Sequence, residues 1–183
     1  RNLLEDDAAI RAVLESVRTV AVVGFKPDPD EAAYRIPAYV HARGRRVIPV
    51  NPKASGCRAF GEECRATLLD IGEPIDLVDL FRAPAHVPAH AEEALRMQPH
   101  PRVFWMQLGI RSDEAAERLA RAGVEVVQDR CLMVEFARLG IGGPHYCSNF
   151  NKIVLRTNVA LSFICPKFNI DKLDENLIKQ AIE

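Results

Sequence analysis

Five short apolar runs, each followed by a helical pattern, constrain this chain more than any other feature. They are Val20–Val23, Val47–Val50, Ile75–Phe81, Val103–Met106 and Val124–Val127. Runs of this length read as strands buried on both faces, as parallel strands are. Ile75–Phe81 is interrupted by charge at Asp76 and Asp79, and Val124–Val127 at Glu125. Helical patterns fill the gaps. Asp6 or Asp7 can cap a first helix carrying Ile10, Val13, Leu14 and Val17 on one face. Glu31–Ala42 reads as a second helix closed by Gly44, and Pro37 inside it implies a first turn near Ile36 or a kink. Cys64–Ile71 reads as a short helix or turn, and Pro84–Met97 as a helix. Ser112 caps a helix to Ala122, with Glu114 and Glu117 near its start and Gly123 after it; Leu132–Leu139 is the last helix before the tail.

Strands that alternate with helices at this spacing imply an α/β fold: a Rossmann-like open parallel sheet of about five strands with helices on both faces. Right-handed crossovers put every strand's C-terminal end on one rim. Ligands of open α/β sheets bind at that rim, so the residues after each strand are the candidates. After the first strand comes Gly24-Phe25-Lys26. A glycine lets the backbone turn tightly and approach a phosphate near the next helix N-terminus. The GxGxxG dinucleotide fingerprint is absent. After the second strand come Asn51, Pro52 and Lys53, where an NAD enzyme usually carries an acidic residue for the ribose. An amide and a cation there suit an adenosine phosphate, although a loop lysine is ordinarily just solvated. After the third strand stand Phe81 and Arg82, the latter able to reach phosphate or stack on a base. After the fourth comes Gln107, a better candidate for ligand contact than Trp105, which reads as core. After the fifth comes Cys131, beside Arg130 and near a helix N-terminus, two features that favour thiolate. A buried, inert thiol is the competing reading.

A chain of 183 residues is about one domain. The net charge of −1 supplies no basic field for nucleic acid. No apolar run approaches a membrane span, and the acidic start Arg1–Leu14 lacks the core of a secretory signal. The five cysteines, Cys57, Cys64, Cys131, Cys147 and Cys165, are odd in number and form no CxxC, which argues against a disulfide framework and a zinc site and for a reducing, cytoplasmic setting. Composition breaks near the end. Residues 1–145 hold 17 Arg and 2 Lys, whereas residues 146–183 hold 1 Arg and 4 Lys. The expected division is therefore 1–143 as the ligand-binding domain and 144–183 as an appended or interface-forming extension. In that extension Ile153–Ile164 has strand character, and Asp171 can cap a helix with Leu173, Leu177, Ile178 and Ile182 on one face. Homo-oligomerisation through this tail is an expectation.

Five segments taken in order, Val22–Gly24, Val47–Lys53, Asp76–Arg82, Trp105–Gly109 and Asp129–Glu135, resemble the small bacterial and archaeal CoA-binding proteins of the YccU type. The likeness runs from about residue 4 to 140. That family is similar to the CoA-binding domain of the succinyl-CoA synthetase α subunit. The resemblance implies coenzyme A along the rim, with Gly24, Phe25, Lys26, Pro52, Lys53, Phe81 and Arg82 as contacts. Family members often carry a small residue where Phe25 stands; a phenylalanine there narrows the loop or stacks on a ligand. The tail from about Pro144 has no counterpart in the family.

No P-loop is present, and none of His41, His86, His90, His100 and His145 sits in a nameable catalytic motif. The expectation is thus non-catalytic binding of coenzyme A or acyl-CoA. Two rivals remain: an NAD(P)-dependent oxidoreductase or acyl-CoA ligase-related fragment on the same scaffold, and an interaction protein that uses the domain as support.

Overall fold

The computed structural model describes residues 2–54 and 56–142. The expected strand at 153–164, the helix from Asp171, His145, Cys147 and Cys165 all lie outside the described residues. The elements run α1 (Asp7–Ser16), β1 (Thr19–Val23), α2 (Ala32–Ala42), β2 (Arg46–Val50), a hairpin of β3 (Arg58–Ala59) and β4 (Glu62–Glu63), β5 (Leu77–Leu80), α3 (Val87–Arg96), β6 (Val103–Met106), α4 (Asp113–Arg121), β7 (Glu125–Val127) and α5 (Leu132–Arg138). Five strands form one parallel sheet in the order β2-β1-β5-β6-β7. Residues 2–4 extend its edge: Val126 N donates to Asn2 O and Leu4 N to Val126 O.

The apolar runs bury both faces of the sheet, as parallel strands require. On one face Val20, Val22, Val103 and Trp105 pack with Ile10 and Leu14 of α1, Ile36 and Val40 of α2, and Phe136 of α5. On the other, Ala21, Val78, Phe104 and Val126 pack with Ala91 of α3 and Leu119 of α4. Asp6 Oδ1 accepts from Ala9 N at 2.8 Å and so caps α1.

Three local expectations change. The helix over 31–42 begins at Ala32, with Pro37 inside it rather than in its first turn. Pro37 is buried on the face shared by Ala33, Ile36 and Val40, so its packing offsets the backbone bond it cannot make. The strand expected over Ile75–Phe81 contracts to Leu77–Leu80. Its N-terminal end is spent otherwise: Asp76 Oδ2 accepts from Arg18 N, Thr19 N and Thr19 Oγ1 at 2.8, 2.9 and 3.1 Å. The β3–β4 hairpin is additional. Phe60 and Gly61 make its turn, both at positive φ (57° and 82°), the geometry of a two-residue hairpin loop. Phe60 is held there by ring contacts with Phe25, Tyr34 and His41 at 5.8, 5.4 and 5.4 Å between centroids.

Candidate functional site

The order of the parallel strands reverses between β1 and β5, so the crevice of this sheet opens over their C-terminal ends. Gly24 leaves β1 there with φ +86°, and its N donates to Val50 O at 2.9 Å. A Cβ on Gly24 would stand 2.6 Å from Phe81 O and 3.0 Å from Arg82 Cδ. Glycine is therefore demanded twice, by the left-handed backbone and by the close approach of the β5 exit. That approach lays the stem of Arg82 across the Gly24 turn. Arg82 is half-buried, and its Nε is buried without a hydrogen-bond partner.

Phe25 is fully buried, its ring 5.9 Å from Tyr34 and 5.8 Å from Phe60. The ring belongs to the core, so the expectation that it stacks on a ligand is corrected; the aromatic cluster on the hairpin claims it. The Phe25 and Lys26 N–H groups donate to no acceptor among the described residues. Lys26 Nζ pairs with Glu31 Oε1 at 2.8 Å. Asp28, Asp30 and Glu31 follow on the same loop, so Lys26 adds no net positive charge there.

Asn51 ties the two neighbouring turns together. Its Nδ2 donates to Phe25 O at 2.7 Å and its Oδ1 accepts from Lys53 N at 2.9 Å. Pro52 and Lys53 lie in a short 3₁₀ turn, Pro52–Ala54, and both are exposed. The Lys53 ammonium forms no ion pair among the described residues. Phe81 is half-buried, with its N donating to Val23 O at 2.8 Å. Gly24, Asn51, Pro52, Lys53, Phe81 and Arg82 thus converge on one end of the sheet.

Gln107 and Cys131 do not offer what their positions in the sequence suggest. Gln107 is buried, its Nε2 donating to Asp79 Oδ1 at 2.7 Å and its Oε1 accepting from Leu132 N at 3.3 Å. Both ends of its amide are committed inside the protein. Burial pushes the Cys131 thiol above its usual pKa, against bonds from the Val134 and Met133 backbone, and the charges of Asp79 and Glu135 add to that rise. Thiolate is disfavoured. The neighbouring Arg130 does not counter it, because its guanidinium turns to Glu5 O at 2.9 Å and lies 3.6 Å from Glu135.

Sequence reasoning passes over Asp79. It has no exposed surface, its Oδ2 lacks a partner, and burial pushes its pKa up to about 8 against the Gln107 hydrogen bond. A carboxyl inside a buried strand is itself a signal, because such a group must be protonated or paired. A separate open cleft, lined by Leu4, Arg111, Asp129 and Arg130, lies along β7 and away from the strand reversal. Among the described residues no helix is long and apolar enough to cross a membrane.

Known proteins similar to this chain share its fold. The profile of the CoA-binding domain family matches residues 18–137. The uncharacterized protein YneT of Bacillus subtilis is 34% identical over 130 residues, covering 71% of this chain and 93% of that protein. A solved structure from Thermus thermophilus is 44% identical with a TM-score of 0.70, covering 74% of this chain and 99% of that one. A hypothetical protein from Pyrococcus horikoshii OT3 is 33% identical with a TM-score of 0.68, covering 74% and 92%. A second profile, of D-aminoacyl-tRNA deacylases, matches residues 110–183. The deacylase of Ignicoccus hospitalis is 34% identical over 67 residues, which are 37% of this chain and 26% of that protein. Residues 110–137 fall under both profiles, and in the structure they carry α4, β7 and most of α5. The match that spans the sheet decides the assignment: this chain belongs to the CoA-binding domain family.

Proposed function

We propose that the chain binds coenzyme A or an acyl-CoA in the crevice over β1 and β5 and performs no chemistry on it. The observation that carries this reading is the buried, unpartnered Nε of Arg82 lying over the Gly24 turn. A buried donor without a partner is costly, and an anionic ligand oxygen there would satisfy it. The unpaired N–H groups of Phe25 and Lys26 supply further donors beside it. In this reading Gly24, Phe25 and Lys26 hold phosphate through backbone, with Arg82 beside them. Asn51 and Pro52 shape the second turn, and Lys53 faces the phosphate on the adenosine. Phe81 borders the crevice. Gln107 and Cys131 support its floor rather than touching the nucleotide.

The test is thermal unfolding with coenzyme A, NAD, NADP and ATP at equal concentration. A ligand at 100 times its dissociation constant adds about 2.7 kcal/mol. Stabilisation by coenzyme A is expected. Stabilisation by NAD without coenzyme A would instead favour the oxidoreductase reading. Acetyl-CoA incubated with the protein should remain intact, and turnover would refute a purely binding role.

We also propose that residues 1–143 form the CoA-binding domain and 144–183 an appended extension. The CoA-binding profile, which ends at residue 137, and the change from Arg-rich to Lys-rich composition near residue 145 support this division. Removal of residues 146–183 should leave coenzyme A stabilisation intact. A change in oligomeric size on that removal would make the extension an assembly element.

A further inference from the structure

Cys57 and Cys64 close the base of the β3–β4 hairpin. The hairpin register pairs Arg58 with Glu63 and Ala59 with Glu62, so Cys57 stands directly opposite Cys64. Cys64 N donates to Cys57 O at 2.9 Å, which places the two backbones in contact at that step. Directly opposed antiparallel residues have Cα atoms about 4.5–5.5 Å apart. That lies inside the roughly 4.4–6.8 Å a disulfide spans. Opposed residues also point to one face of a hairpin. Cys64 is buried in the same apolar cluster against which Cys57 packs. Both thiols are free, with Cys57 half-exposed and Cys64 buried.

The pair touches the crevice. Cys64 Sγ donates to Asn51 O at 3.6 Å, and Ala54 N donates to the same carbonyl at 3.0 Å. Asn51 in turn holds Phe25 O and Lys53 N. The tip of the hairpin rests on Phe25 through Phe60. Burial raises the Cys64 pKa against its bond to Asn51, and the neighbouring Cys57 thiol adds to the rise, as expected of two sulfurs in proximity.

We propose that Cys57 and Cys64 form a reversible disulfide by exchange with a low-molecular-weight disulfide, and that this switches the Asn51–Ala54 turn. Half-exposed Cys57 is the entry thiol. Its thiolate attacks one sulfur of the small disulfide, and the first small thiolate leaves and takes up a proton from water. Cys64 then loses its proton to water and attacks the Cys57 sulfur, expelling the second small thiol. One disulfide is reduced to two thiols, and one is formed in the protein. Forming it removes the Cys64 S–H donor from the Asn51 carbonyl. The turn that carries Lys53 thereby loses one of its restraints.

The experiment treats the full chain with oxidised glutathione, blocks remaining thiols with iodoacetamide and digests with trypsin. Cleavage after Lys53, Arg58 and Arg65 puts the two cysteines on separate short peptides, 54–58 and 59–65. A linked pair of these peptides is expected, abolished by dithiothreitol. Cys64→Ser should instead accumulate a lasting glutathione adduct on Cys57. Both peptides alkylated, or stable glutathione on each in the unaltered chain, would overturn the proposal. Amide exchange supplies the second readout. Ala54 should exchange several-fold faster in the cross-linked protein, and identical rates would overturn the link to the turn. Neither readout uses a nucleotide, so failure of coenzyme A to bind would leave this inference standing.

Discussion

Replacement of Asp79 by asparagine should remove a large pH dependence of stability that resides in one buried carboxyl. Asp79 sits on β5, in register with Val22 on β1 and Trp105 on β6, and is wholly buried. Its carboxyl receives one hydrogen bond, from Gln107 at 2.7 Å, and Oδ2 has none. Burial lifts the pKa from 3.8 to about 8. The folded protein therefore keeps a proton that the unfolded chain releases near pH 4. The favourable contribution is complete below pH 4 and is lost as pH rises through about 8. Each pH unit inside that window costs about 1.4 kcal/mol, and the whole window roughly 6 kcal/mol. An asparagine side chain has nearly the same shape, would still accept from Gln107, and carries no charge at any pH. Urea unfolding followed by the fluorescence of Trp105, the only tryptophan in the chain, measures both proteins at several pH values. The difference between them cancels every other titrating group. The Asp79→Asn variant should gain on the parent steadily from pH 5 to pH 8, with the two curves flat relative to each other above pH 9. Parallel curves across pH 5–8 would refute a protonated Asp79.

Three further outcomes follow from the same geometry. Gly24→Ala would set a Cβ against the Phe81 carbonyl at a positive φ, and should cost about 2–4 kcal/mol in urea unfolding; a loss below about 0.5 kcal/mol would mean the β5 exit yields easily. Lys53→Glu should weaken coenzyme A about 10-fold by calorimetry and 3′-dephospho-CoA much less, because the ammonium is assigned to the 3′-phosphate; equal losses would move it to the pyrophosphate. Cys131 should react with a thiol-modifying reagent at pH 7 about 10-fold more slowly than free cysteine, since burial holds it protonated; a faster rate would restore the reactive reading.

The sheet is legible in the sequence because doubly buried parallel strands leave continuous apolar runs, and Val103–Met106 is delimited to the residue. The hairpin is not, because strands of two residues have no period to read, and Phe60-Gly61 lacks the usual hairpin dipeptide. The apolar pattern of Ile75–Phe81 overstates its strand because at Asp76 only the carbonyl still pairs, with Val103 N, while the carboxylate is given to Arg18 and Thr19. In the site, the ends of β1, β2 and β5 are legible from sheet topology alone. Gln107 is not, because position at a strand end does not reveal which way an amide faces. The available signal is Asp79: a carboxyl amid buried apolar residues needs a donor, and Gln107 follows the strand beside it. Cys131 misleads because adjacency in sequence puts Arg130 beside it, whereas the backbone sends that guanidinium to Glu5 and Glu135.

These corrections sharpen the division of labour along the rim. Over β6 and β7 the polar groups face inward: Gln107 joins Asp79, whose Oδ2 is left without a partner, to the start of α5, and Trp105 Nε1 donates to Arg130 O at 2.7 Å. Over β1, β2 and β5 the donors remain unspent: Arg82 Nε, the Lys53 ammonium and the N–H groups of Phe25 and Lys26. On the proposed reading, these unpaired donors over β1, β2 and β5 are the ones an anionic ligand would meet. The close packing that forbids a side chain at Gly24 is what brings the Arg82 stem over that turn. On the proposed reading, the steric requirement of the sheet and the electrostatic requirement of an anion are met by one piece of geometry.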